Sequence, residues 1–178
     1  SDINQLEKMQ ILARGFGAPF TLLYQDQTAG LLTSTAEAAG KVTIGGEFGY
    51  GRGLTSLGIR TAKRGILHAG MLTGNLKESP LPEALTSADQ QLLLEGSESR
   101  CMHIAARDAL FEPCVETGVE VHKGDIIGVL HNFQSIDEKP LTLFADLDGF
   151  VICLPMDSSV RQGQILSLIA YSIPWRNK

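Results

Sequence analysis

One carboxylate stands out by its setting. Glu47 lies in Ile44-Gly-Gly-Glu47-Phe48-Gly49, directly after the β-branched run Lys41-Val-Thr-Ile44. The nine residues from Gly45 to Gly53 hold five glycines. Glycines permit positive φ and close backbone approach, so such a loop can aim a side chain into a cleft. In open α/β sheets ligands bind beyond the carboxyl ends of strands, and a carboxylate there can serve as a general base. The same residue also reads as an ordinary turn carboxylate, and the loop alone leaves both readings open. Arg52, five residues on, can pair with a substrate carboxylate through its planar fork, or it can be a solvated loop arginine. Tyr50 is a further, weaker candidate for binding substrate. A phosphate cradle is excluded, because no lysine completes Gly-x-x-x-x-Gly-Lys-Ser/Thr, and the glycines miss the dinucleotide spacing.

The elements that must hold this loop follow from periodicity. Apolar spacing predicts helices over residues 2–15, ending at Gly15, and over 30–39, stopped by Gly40. A third is predicted from Leu54 to Leu72, closing near Gly70 or Gly74. Phe20–Tyr24 and Lys41–Ile44 are predicted strands. Helix, strand, glycine-rich loop and helix are α/β grammar. Residues 77–100, with Ser79-Pro-Leu-Pro82, read as a linker with one helical turn over Asp89–Leu94. The expected division is therefore 1–76 (α/β), 77–100 (linker), 101–173 (β) and 174–178 (tail).

From Cys101 the pattern is β only. A shift of 39 residues superimposes Phe111 on Phe150, Cys114 on Cys153, Val121 on Val160, Gly124 on Gly163 and Ile126 on Ile165. Each copy carries Val-x-x-Gly-x-Ile, and two such halves can bury their apolar faces against each other. This repeat resembles the barrel-sandwich hybrid fold of biotinyl and lipoyl domains. Such domains display a carrier lysine between their halves, where Lys139 stands here. Its neighbours Asp137-Glu-Lys-Pro140 lack the Met-Lys-Met of biotinyl domains. Ile165–Tyr171 and Trp175 read either as an interface, in keeping with a third class of function as a non-catalytic assembly module, or as the last core strand and a tail.

Composition narrows the classes. The chain has 178 residues, 43% of them hydrophobic, and a net charge of −5 with 15 basic and 20 acidic residues. A nucleic-acid partner is not expected without a basic excess. No apolar run approaches the length of a membrane helix, so no membrane partner is expected. Three cysteines make no disulfide framework and, with an N-terminus lacking signal-peptide character, point to the cytoplasm.

Lys41-Val-Thr-Ile-Gly-Gly-Glu47, the following Lys63-Arg-Gly65-Ile-Leu-His68-Ala-Gly70-Met-Leu72, Phe111-Glu-Pro113 and Phe16-Gly-Ala-Pro19 together resemble the succinylglutamate desuccinylase/aspartoacylase family. The resemblance implies a zinc-dependent amide hydrolase with a carboxypeptidase-like α/β domain and a barrel-sandwich β domain. It also implies that Glu47 matches the catalytic glutamate and that the substrate is a small N-acyl amino acid or related N-acyl amine. The family holds zinc with a His-x-x-Glu pair and a later His, all before the glutamate strand. Here no histidine precedes His68. His68, His103, His122 and His131 do not reproduce that spacing, and His122-Lys-Gly-Asp125 has the repeat partner Arg161-Gln-Gly-Gln164. The chain is thus expected to be the C-terminal part of a longer, homo-oligomeric enzyme. By itself it is expected to bind no metal and to be inactive.

Overall fold

The computed structural model describes residues 3–23, 30–50, 53–78, 90–135 and 137–175, with the side chains of Ile3 and Tyr50 left aside. The chain divides into two compact units. The first comprises Ser1–Thr21, Gln25–Leu93 and Pro174–Lys178, and the second Leu22–Tyr24 and Leu94–Ile173.

The first unit contains helices α1 (Ile3–Phe16), α2 (Leu32–Ala38) and α3 (Ser56–Leu72). It also contains the antiparallel hairpin β2 (Gly49–Tyr50) and β3 (Gly53–Leu54). The three predicted helices are present. The stop of α1 is Gly17 rather than Gly15, since Gly17 takes φ +77. Gly40 and Gly74, both at φ +75, follow α2 and α3. Thr55 caps α3, its hydroxyl oxygen accepting from the Gly58 N–H at 3.0 Å. The predicted strand Lys41–Ile44 is not one. Residues 41–48 are irregular. A strand needs a ladder partner, and this segment is held instead by Gln5, whose side-chain amide donates to the carbonyls of Glu37 and Lys41, each at 3.0 Å.

Trp175 belongs to this unit. Its Nε1–H donates to the Gln91 carbonyl at 3.1 Å, and the Arg14 guanidinium lies 5.4 Å from its ring centroid. Gln91 is buried and its amide donates to the carbonyls of Arg14 at 3.1 Å and Ala18 at 3.3 Å. Trp175→Ala should cost the first unit about 2 kcal/mol, from one hydrogen bond, one cation–π contact and the ring's packing. Trp175→Phe, which keeps a ring, should cost about 1 kcal/mol. Urea unfolding followed by circular dichroism measures both; equal midpoints for wild type and Trp175→Ala would contradict this anchoring.

The remaining strands form two sheets. One has six strands in the order β1 (Phe20–Leu23), β4 (Leu92–Glu95), β12 (Ile165–Ile173), β10 (Gly149–Cys153) and β7 (Glu120–Val121), with β5 (Met102–Ile104) also pairing β12. The other has the order β11 (Ser159–Val160), β6 (Ala109–Pro113), β8 (Ile126–His131) and β9 (Leu141–Phe144). Among the described residues no single closed barrel forms. The helical turn expected over Asp89–Leu94 is overturned where it is described: Leu92–Glu95 is a strand paired in the sheet. Local helix preference loses there to ladder pairing and to burial of Leu93 and Leu94.

The repeat read from the sequence organises these sheets. Strands β7 and β11 begin 39 residues apart, as do β8 and β12. Each sheet mixes the two halves, since β7 pairs β10 and β11 pairs β6. Two buried clusters form the core. One contains Val121, Ile127, Val151 and Ile169, and the other Phe111, Leu130, Val160 and Leu166. The turns repeat bond for bond. The Asp125 carboxylate accepts from the His122 N–H at 2.8 Å, and the Gln164 side-chain oxygen from the Arg161 N–H at 3.2 Å. Gly124 donates to the Ala145 carbonyl and Gly163 to that of Ala105, both at 2.8 Å. Asp148 accepts from the Lys123 N–H at 2.7 Å and Asp108 from the Gln162 N–H at 2.8 Å. Gly124 (φ +96) and Gly163 (φ +83) sit in the left-handed region with open space where a Cβ would stand. Gly124→Ala and Gly163→Ala should therefore each cost about 1–2 kcal/mol by backbone strain alone. Thermal melts check this, and an unequal pair would contradict the equivalence of the turns.

Candidate functional site

Glu47 is exposed, in the irregular segment before β2. Its placement depends on its neighbour. The Phe48 ring stacks on Phe16 with centroids 5.3 Å apart and planes 15° from parallel. Tyr50 pairs with Gly53 across the β2–β3 hairpin. Arg52 lies outside the described residues, so its place relative to Glu47 is not assigned. The loop thus brings Glu47 and the Tyr50 backbone onto one short stretch ahead of α3.

The histidines have separate surroundings. His68 Nδ1 lies 3.2 Å from the Gly15 carbonyl. His103 lies 2.9 Å from the buried Ser167 hydroxyl and 3.3 Å from Asp146. His122 lies 3.8 Å from Asp148, and His131 lies 2.7 Å from Glu112. Among the described residues no group of three or more His, Cys, Asp or Glu side chains gathers as a metal site would require. The side chains described here therefore do not fit as a zinc ligand set. His103, Asp146 and Ser167 imitate a nucleophile triad, but Ser167 is fully buried and offers a substrate no access.

In the second unit neighbouring groups shift two carboxyls and a phenol. The Arg100 guanidinium and the Tyr171 hydroxyl, both bonded to Glu98, hold its carboxyl below the usual range. Tyr171 is pushed up by the same carboxylate. Arg107 lowers Glu138 in the same way. These are exposed ion pairs of little energetic weight. Burial raises the Cys101 thiol, which makes it unreactive. Lys139 stands exposed in the loop between β8 and β9. No helix among the described residues is long and apolar enough to cross a membrane.

Phe16, Phe48 and Gly65 stand in the motifs quoted above, but the sequence does not mark them, or Gly58, as residues that meet beside Glu47. Their signal was present as Gly58-x-x-Thr61-x-x-x-Gly65, small residues at helical spacing on α3.

No family model and no curated protein matches the sequence. Solved structures do. A succinylglutamate desuccinylase/aspartoacylase from Rhodobacter sphaeroides is 26% identical with a TM-score of 0.87, over 98% of this chain and 52% of that one. The product-bound ectoine utilization protein EutE from Ruegeria pomeroyi is 21% identical, TM-score 0.84, over 96% of this chain and 51% of that one. An aspartoacylase family protein from Mesorhizobium loti is 24% identical, TM-score 0.79, over 98% and 50%. The chain spans about half the length of the solved structures it matches. It has the mixed α/β fold of about half of a succinylglutamate desuccinylase/aspartoacylase family protein, the family its motifs resemble.

Proposed function

We propose that this chain is the C-terminal half of a zinc-dependent amide hydrolase that deacylates small N-acyl amino acids or related N-acyl amines. The observation that carries the reading is the match of nearly the whole chain to half of a family member, with Glu47 at the end of the Gly-Gly-Glu motif. Burial supports it as well. Of the buried apolar side chains described, only Leu93 belongs to the first unit. The first unit instead exposes Leu32 and Leu54 at 85%, Ile66 at 65% and Leu57 at 59%. Apolar surface of that extent is normally covered.

In this reading Glu47 takes a proton from the attacking water and returns it to the departing nitrogen. Arg52 pairs with a carboxylate of the substrate, and Tyr50 adds a donor. Zinc is held by residues other than those described here. The intertwined halves of the second unit are a barrel-sandwich hybrid, which would serve to cap the site or hold subunits together. Assembly is a second reading. It is favoured by β9, an edge strand of its sheet that exposes Leu141 and Phe144. Neither role calls for a carrier lysine at Lys139.

The test is hydrolysis of N-acetylated and N-succinylated amino acids by the full-length protein. Release of free amine, lost with a chelator and restored by zinc, is expected. No release from either class of substrate would overturn the proposal.

A further inference from the structure

We infer that Phe16, Phe48 and Gly58 are positioning residues that aim Glu47, an inference resting on the reading of Glu47 as the base. Among the described residues, 41–48 pair in no ladder. Phe48, adjoining Glu47, is held by contacts instead. Gly58, Thr61 and Gly65 are the buried residues of α3, spaced to share one face. The Phe16 ring fills the place where a Cβ on Gly65 would stand. The Phe48 ring stacks on Phe16. The Phe48 carbonyl in turn fills the place of a Cβ on Gly58. The Thr55 cap on Gly58 N–H fixes the first turn of α3 at that point. The backbone of α3, through Gly58 directly and through Phe16 against Gly65, thereby meets Phe48 at both its carbonyl and its ring. Glu47, one peptide away, inherits that position. The family motif supplies the carboxylate; these contacts hold the residue beside it.

Two measurements test this. In the 178-residue chain, Gly58→Ala places a methyl against the Phe48 carbonyl and should shift the Glu47 amide resonance, leaving second-unit resonances in place. Phe48→Leu, which removes the stack without adding bulk, should do the same if Gly58→Ala fails to fold. An unmoved Glu47 resonance in both variants overturns the inference. In the full-length protein, Phe48→Leu should lower kcat about 10- to 100-fold with KM nearly unchanged, the consequence of misplacing a base by about 1 Å. In a Glu47→Gln background the same substitution should change the residual rate less than about twofold, because its effect runs through Glu47. Equal losses in both backgrounds would reveal a merely structural role and overturn the inference. Wild-type turnover by Glu47→Gln would instead remove the base reading, leaving the resonance shifts to decide the positioning.

Discussion

In amide hydrogen exchange of the 178-residue chain, strands β6, β8, β10 and β12 are expected to exchange about two to three orders of magnitude more slowly than helices α1 and α3. The reason is the distribution of buried apolar surface. The second unit buries Phe111, Ile127, Val151, Val160, Leu166 and Ile169 almost completely. Each such side chain contributes about 1.5–3 kcal/mol of transfer free energy. The first unit has no comparable interior: α2 has no buried residue, and those of α3 are Gly58, Thr61 and Gly65. Its helices rely on caps, backbone bonds and close approach. With three glycines among its 17 residues, α3 is a weak helix in water without a packed face. Self-association that covers these faces is expected, so the molar mass in solution should exceed that of the monomer. A monomer with equal, high protection in both units would contradict this account of the first unit.

Much of this fold was legible because the relevant signals are local. The spacing of Leu6, Met9 and Leu12 predicts α1, and Val-x-x-Gly in each copy predicts the turns in which Gly124 and Gly163 take positive φ. What escaped depends on distant partners. Leu92–Leu94 read as part of a helical turn, and only pairing between β1 and β12, distant in sequence, makes them a strand. Lys41–Ile44 read as a strand, and the absence of a ladder among the described residues leaves it irregular. The internal repeat extends further than its sequence shows. Ala105 and Asp108 play the parts of Ala145 and Asp148, but their offset is 40 residues instead of 39, so a fixed shift misses them. At the candidate site the glycines single out Glu47 but leave its role open, and only the family resemblance gives it one. The stack of Phe16 on Phe48 was not legible, because those residues are 32 apart in sequence and meet only through α3.

The most direct test of the central claim is turnover by the full-length protein with Glu47 replaced. Glu47→Ala removes the group that takes the proton from water and returns it to nitrogen, while leaving the loop glycines and the Phe48 stack in place. Loss of a general base costs about two to four orders of magnitude in kcat. Glu47→Asp should also be poor, since one methylene withdraws the carboxylate by about 1 Å. Bound metal should be unchanged, because Glu47 is a base and not a ligand in this account. The measurement is kcat for an N-acyl amino acid alongside metal content, for wild type and Glu47→Ala. A fall of about 100-fold or more at constant metal is the predicted result. Normal turnover by Glu47→Ala, or loss of the metal together with the carboxylate, would contradict it.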